Sequence, residues 1–337
     1  MFPNLPRLSL GFFPTPIVEL SRLSESLGGP RILMKRDDQT GLALGGNKTR
    51  KLEFLVADAI QQQCDCVITA GAAQSNHCRQ TAAAAAMVGL ECHLVLGGTP
   101  PIQANGNLLL DELLGATLHW TGADRKGEQL SAIAAQLTSQ GKHPYRIPYG
   151  GSNALGAAGF VVAMAELQQQ MQTMERSIDA IAFASSSGGT QAGLTVGKAL
   201  LGMEVELVGI RIDKAEDEPL SYKAQLAQLA TSTAQILELS DCQFQPADFR
   251  VETAYQEAGY GIVSDLERSA VTLVAQTEGI LLDPVYTGRA MGGLLDLIQS
   301  GQFQSPQTIL FWHTGGQPAL FDPKLSLKEP ESTAGDG

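Results

Sequence analysis

The chain has 337 residues, 44% hydrophobic and 17% charged, the proportions of a globular protein and not of a disordered one. That length exceeds one small core and points to one large or two medium domains. A formal charge of −12 excludes duplex nucleic acid as a natural partner but leaves open a small substrate, which senses only local charge.

The opening residues carry Pro3, Pro6 and Pro14 and no continuous apolar run. They read as neither a signal peptide nor a membrane span, which takes roughly 20 apolar residues, so a cytoplasmic protein is expected. Short apolar, often β-branched runs predict strands at 31–35, 66–70, 92–96, 180–184, 207–212 and 308–313. Longer helical patterns lie between them, among them 50–62, 78–88, 157–170, 191–201, 264–277 and 288–299. This alternation predicts an α/β protein with mostly parallel sheets covered by helices on both faces. Turn-rich joints at 41–46 and 147–153 suggest two domains: a discontinuous large one, 1–50 and 156–337, and a small α/β one, 51–155. The polar end, 324–337, lacks periodicity and is expected to fray. The five cysteines form no disulfide-like framework, and Cys64-Asp65-Cys66 has the wrong spacing for a zinc knuckle or a redox pair. No His/Cys cluster has ligand spacing, so no metal is expected.

Lys48 stands in Gly45-Gly46-Asn47-Lys48-Thr49-Arg50-Lys51, an amine just after a flexible glycine pair. Such a lysine can capture a carbonyl as a Schiff base if it deprotonates cheaply, through burial or a neighbouring cation such as Arg50 or Lys51. Lys51 lies on the same face if the helix has already begun. A basic first helical turn on the surface is the alternative. In 69–77 a strand ends, a small-residue loop follows and a helix begins near Asn76. Free N–H groups at a helix start bind carboxylate or phosphate, with the Ser75 hydroxyl and Asn76 amide at hand, although both residues also suit an ordinary N-cap. Ser185 to Gly193 repeats the order of strand, glycine/hydroxyl loop and helix, which makes a phosphate cradle from backbone N–H groups and hydroxyls, with a purely structural strand-to-helix turn as the alternative. It lacks the patterns of nucleoside triphosphatases and of classical dinucleotide sites, so the phosphate belongs to another kind of ligand. Tyr260 and Tyr286 sit in glycine-containing loops, and a phenol beside a cationic cofactor can titrate usefully. His313, before Thr314-Gly315-Gly316, reads as a structural histidine.

Together GGNKTRKLEFL, QSNHCRQTAA, IPYGGSNALGA, EGILLDPVYTGRAMGGL and HTGGQPALF resemble the fold-type II pyridoxal-phosphate enzymes of the tryptophan-synthase β group. Within that group the chain looks like the D-cysteine desulfhydrase and 1-aminocyclopropane-1-carboxylate deaminase family, from about Pro14 to Phe321. The resemblance implies that Lys48 carries pyridoxal 5'-phosphate and that Asn76 bonds its phenolic oxygen. It implies that the Ser187–Gln191 loop holds the phosphate with Lys51 nearby. Ser75, with Asn76 and His77, would take the substrate carboxylate, and Tyr260 and Tyr286 would flank the reacting carbons. It implies a small amino-acid substrate and a homodimer.

The deaminases carry Glu after the second tyrosine, facing the pyridine nitrogen, and Leu in the late loop; here these positions are Thr287 and Thr314. A carboxylate strengthens the electron sink that cyclopropane opening needs, whereas expelling sulfide from a β-carbon needs less. The resemblance therefore implies a lyase that takes the α-proton through Lys48 or a Ser75/Tyr286 relay and makes pyruvate, hydrogen sulfide and ammonia from D-cysteine. Its rivals are the deaminase, a cysteate sulfo-lyase and a cofactor-binding reservoir protein without turnover.

Overall fold

The computed structural model describes residues 5–213, 220–239, 241–325 and 327. The elements of the first half are β1 (Ile17–Glu19), α1 (Ser21–Leu27), β2 (Arg31–Arg36), α2 (Lys48–Gln61), β3 (Cys66–Ala72), α3 (Asn76–Val88), β4 (Glu91–Gly97), α4 (Gly106–Leu113), β5 (Thr117–Trp120), α5 (Leu130–Ser139) and β6 (Pro144–Arg146). The second half has α6 (Ala154–Thr173), β7 (Ala180–Ser185), α7 (Gly189–Leu201), β8 (Glu206–Arg211), α8 (Tyr222–Ile236), β9 (Arg250–Glu252), α9 (Asp265–Glu278), α10 (Thr287–Gln299) and β10 (Thr308–His313).

The strands form two sheets, one of order β1-β2-β10-β7-β8-β9 and one of order β5-β4-β3-β6. Every pairing is parallel except β1 with β2. The period of two in β10 shows why this sheet needs helices on both sides. Ile309 and Phe311 join the core under α9 and α10, while Leu310 and Trp312 join Phe160, Met164 and Leu194 of α6 and α7. The smaller sheet is built alike: Val67, Leu94 and Leu96 pack on α2 and α3, and Ile68, Ala70 and Val95 on α5. Parallel strands buried on both faces read as continuous apolar runs, which is why the central strands were the predictable ones.

The expected strands appear with bounds shifted by a residue or two. Strands β1, β5, β6 and β9 were not expected, and each is an edge strand of three or four residues. The smaller sheet takes its strands from 66–146, the larger from 17–36 and 180–313. This distribution supports the division into 1–50 with 156–337 and 51–155, which we propose; one boundary then falls inside α2. Of the tail expected to fray, only 324, 325 and 327 lie among the described residues.

Candidate active site

Helix α2 begins at Lys48 itself, after a turn in which Ala43, Leu44, Gly45 and Gly46 all have positive φ (41°, 70°, 69° and 130°). A Cβ on Gly45 would lie 2.0 Å from the Asp38 carbonyl oxygen, so only glycine fits there. Helix α3 grips this turn. Arg79 donates to the carbonyls of Ala43 and Gly45, the latter at 2.8 Å, and Gln80 Oε1 accepts from Thr49 N at 2.9 Å. Lys48 Nζ thereby reaches the Gly150 carbonyl at 3.3 Å, and Lys51, one turn on, reaches the same oxygen at 2.9 Å. Burial brings the Lys48 amine down to about 8, against smaller opposing effects of Lys51, Cys78 and Asp213. Burial, followed by the charge of Lys48, pushes Lys51 well below the usual lysine value.

Arg50 has no part in this, contrary to the expectation from sequence. It turns away to Asp37 (2.7 Å) and Glu166 (2.9 Å) beneath the site. Only one of the two expected cationic neighbours of Lys48 is at hand.

Two helix starts face the cavity beside Lys48. At α3, Ser75 is the N-cap and its hydroxyl accepts from Cys78 N at 3.2 Å. Asn107 Nδ2 donates to Asn76 Oδ1 at 3.2 Å, which leaves the Asn76 Nδ2 as a donor. His77 bonds Thr69 through Nε2 at 2.8 Å, and its Nδ1 is buried with no partner. Burial, then the charges of Lys48 and Lys51, keeps this imidazole neutral. At α7, Ser187, Gly188, Thr190 and Gln191 contribute free N–H groups, since Ala192 N is bonded back to Gly188 and Gly189 N to Ser152. Ser152 ties this end together: it accepts from Lys51 (2.9 Å) and from Gly189 N (3.1 Å) and lies 2.8 Å from the Ser187 hydroxyl. A Cβ on Gly189 would meet both Lys51 Nζ and Ser152 Oγ at 2.7 Å. Asn47 Nδ2 reaches Thr190 Oγ1 at 3.3 Å, joining the Lys48 turn to this helix. The Gln191 side chain is turned into the sheet, onto Ser185 and the Arg250 carbonyl.

Tyr149 and Tyr286 line the cavity. Tyr260 does not; it stands behind Tyr286 with hydroxyls 2.9 Å apart and rings edge to face. Burial raises all three phenols above the ordinary tyrosine value, so they are donors and not bases.

Among the expected site residues, the structure brings Lys48, Ser75, Asn76, His77, Ser187, Gly188, Thr190, Gln191, Tyr286 and Thr314 to one cavity, with Lys51 and Gly189 directly beneath its phosphate-like end. Thr287 is not there. Its hydroxyl donates to Asp283 Oδ1 at 2.7 Å and accepts from Asp283 N at 2.8 Å, both inside the α10 cap. Ser152 was within reach of sequence reasoning, as a hydroxyl after the glycine pair of a quoted motif. Asn107, beside Asn76, gave no signal, since it belongs to none of the segments with the order of strand, glycine/hydroxyl loop and helix. The set of a buried amine, a helix start backed by Lys51, and an unmet imidazole nitrogen fits a phosphate-bearing carbonyl compound such as pyridoxal phosphate.

Residues 8–315 match a family described as pyridoxal-phosphate dependent enzyme. A D-cysteine desulfhydrase of Klebsiella pneumoniae (strain 342) is 46% identical over 324 residues, covering 94% of this chain and 96% of the relative. A D-cysteine desulfhydrase of Salmonella newport (strain SL254) is 45% identical, with 94% and 96% covered. A solved structure of an ACC deaminase homologue superposes with a TM-score of 0.87 at 37% identity, covering 96% of this chain and 97% of that one. O-ureido-L-serine synthase, at 16% identity and a TM-score of 0.65, shares the fold.

Proposed function

The chain belongs to the pyridoxal-phosphate dependent enzyme family, and from that premise we propose that it is a carbon–sulfur lyase, a D-cysteine desulfhydrase that turns D-cysteine and water into pyruvate, hydrogen sulfide and ammonia. The observation that carries the choice of reaction is that, among the described residues, no carboxylate lines the cavity. Thr314 is the hydroxyl left to meet a cofactor ring nitrogen, since Thr287 is committed to Asp283. A weak electron sink suits expulsion of a good leaving group and not the opening of a strained carbon ring.

Lys48 would hold the cofactor, with Asn76 Nδ2 on its phenolic oxygen and Ser187, Gly188, Gly189, Thr190 and the Gln191 N–H on its phosphate, charge-balanced by Lys51 through Ser152. Bound pyridoxal phosphate supplies the sink for the electron pair left when the α-proton departs. Ser75 and the first-turn N–H groups of α3 take the substrate carboxylate. Lys48, neutral above about pH 8, accepts the α-proton, and the Ser75 hydroxyl is placed to relay it. The Cβ–S bond then breaks with its electrons going to sulfur. Tyr286, backed by Tyr260, stays protonated and donates a hydrogen bond to that departing group. The released enamine hydrolyses to pyruvate and ammonia.

The enzyme is proposed to work as a homodimer in the cytoplasm. Exposed Phe12, Leu44 and Ile102 offer apolar surface for a second copy, and five unpaired cysteines suit a reducing compartment. Sulfide, sulfite and 2-oxobutanoate release from D- and L-cysteine, cysteate and the cyclopropane amino acid test the reading. Sulfide from D-cysteine supports it, and 2-oxobutanoate as the main product would replace it with the deaminase. Lys48→Ala is expected to lose both the bound-cofactor absorbance and turnover.

A further inference from the structure

Arg125 belongs to the loop between β5 and α5, on the smaller sheet, yet its side chain is spent on the larger one. The loop is pinned to the end of β4 by a Gly98–Gly122 bridge, with N···O distances of 2.5 and 3.1 Å. A Cβ on Gly97 would lie 2.4 Å from Arg125 Cβ, so the glycine lets the loop rest directly on the sheet end. From there the guanidinium crosses to Tyr260 and lies 4.4 Å from its ring centroid. Nη2 stops 3.7 Å from Asp213 Oδ1, outside hydrogen-bond reach. Nη1 is buried with no partner, and so is Asp213 Oδ1, while the other Asp213 oxygen accepts from Ser186. Burial works against the charge, but Tyr149, Asp213, Tyr260 and Tyr286 together outweigh it and hold Arg125 ionised.

Among the described residues, the other cations around the cavity are committed. Lys48 and Lys51 bond Gly150, Lys51 also bonds Ser152, and Arg211 donates to the Ser186 carbonyl and stacks on Tyr222. Arg125 keeps an unmet charged donor beside the tyrosines. In the desulfhydrase reading, on which this rests, the substrate's amino group is at Lys48 and its carboxylate at Ser75. The remaining substituent on the α-carbon is then left to the Tyr149 and Tyr286 side of the cavity, and Tyr286 is bonded at 2.9 Å to Tyr260, the phenol on which Arg125 lies.

We propose that Arg125 is a specificity-determining residue that reads negative charge on the β-substituent of the bound amino acid. Its ligand class is the three-carbon amino acids whose β-group is an anion, such as a thiolate, sulfinate or sulfonate, and a neutral β-group gains nothing from it.

The test compares kcat and KM of the wild-type holoenzyme, Arg125→Gln and Arg125→Lys on D-cysteine and β-chloroalanine, with cysteate as substrate or competitive inhibitor. Arg125→Gln is expected to weaken cysteate about tenfold or more, mainly in KM or Ki, and to change β-chloroalanine less than about threefold. Arg125→Lys should recover most of the loss. Bound-cofactor absorbance reports an intact site; if Arg125→Gln fails to bind cofactor, Arg125→Lys carries the comparison, with a small loss on cysteate that exceeds any change on β-chloroalanine. Equal loss on all compounds, or none on cysteate, overturns the proposal with the desulfhydrase reading intact. A wild type inactive on the whole panel overturns that reading and this one together.

Discussion

Lys48 was legible as a residue because the glycine pair before it has no structural use in a regular helix, and the structure shows that use to be a left-handed turn. What lowers its basicity was not legible. The sequence offers Arg50 and Lys51 as neighbouring cations, but burial is the main cause and Arg50 faces Asp37. Since the amine loses its proton near pH 8, covalent capture of pyridoxal phosphate by apoprotein should accelerate as pH rises through 8 and level off above it. Stopped-flow absorbance of the bound cofactor checks this, and a rate flat from pH 7 to 9 would contradict it. Ser152 links Lys51, Ser187 and Gly189, so Ser152→Ala should raise the cofactor dissociation constant about tenfold, the value of one charge-assisted hydrogen bond. Thr287 shows the opposite failure. Its position after Tyr286 was informative, but sequence could not show that Asp283, four residues earlier, claims its hydroxyl.

At the scale of elements, the six strands that sequence patterning finds, β2, β3, β4, β7, β8 and β10, are the ones with neighbours on both sides. The four it misses are edges. An edge strand is short and covered unevenly, so it leaves no apolar run and no sustained alternation: Arg250–Glu252 has one apolar residue, and Pro144–Arg146 opens on a proline. The starts of α3 and α7 were legible to within two residues because Ser75 and the glycine/hydroxyl loop before α7 carry their own chemistry. The elements also meet where small residues permit. A Cβ on Gly315 would lie 2.8 Å from Gly46 Cα, and its φ is +89°. Gly315→Ala is expected to displace the Lys48 turn, lowering kcat at least tenfold and costing about 2 kcal/mol of stability, as measured by steady-state kinetics and urea unfolding.

Across the whole molecule, Arg50, Lys35, Asp37 and Glu166 join α2, α6 and the larger sheet in one buried ionic cluster. Burial raises the Glu166 carboxyl, but Arg50 and Lys35 outweigh it and bring it down to about 2. A carboxyl depressed by folding contributes stability that is complete above its unfolded value near 4.5 and is lost as pH falls from there toward 2. The melting temperature should therefore drop across that window, and Glu166→Gln should be less stable at pH 7 but flatter below 4.5. Equal acid sensitivity of the two proteins would show that the cluster does not set it. None of these long-range pairings, such as Lys35 with Glu166, is visible in sequence, where nothing relates residues so far apart.

The grip of α3 on the Lys48 turn has one more consequence. The same helix presents Ser75 and Asn76 at its tip and, one turn later, Arg79 and Gln80 to the backbone that carries the lysine. The Lys48 turn and the helix start proposed to hold the amino acid's carboxylate are thus both held by α3. The turn is fastened to the larger sheet as well, by Asn47 N on the Thr314 carbonyl at 3.0 Å and Asn47 Nδ2 on Thr190 at 3.3 Å, so α3 bridges the two sheets at this point. One helix thereby sets the spacing between the Lys48 amine and the Ser75 helix start, the two groups between which the proposed reaction moves a proton.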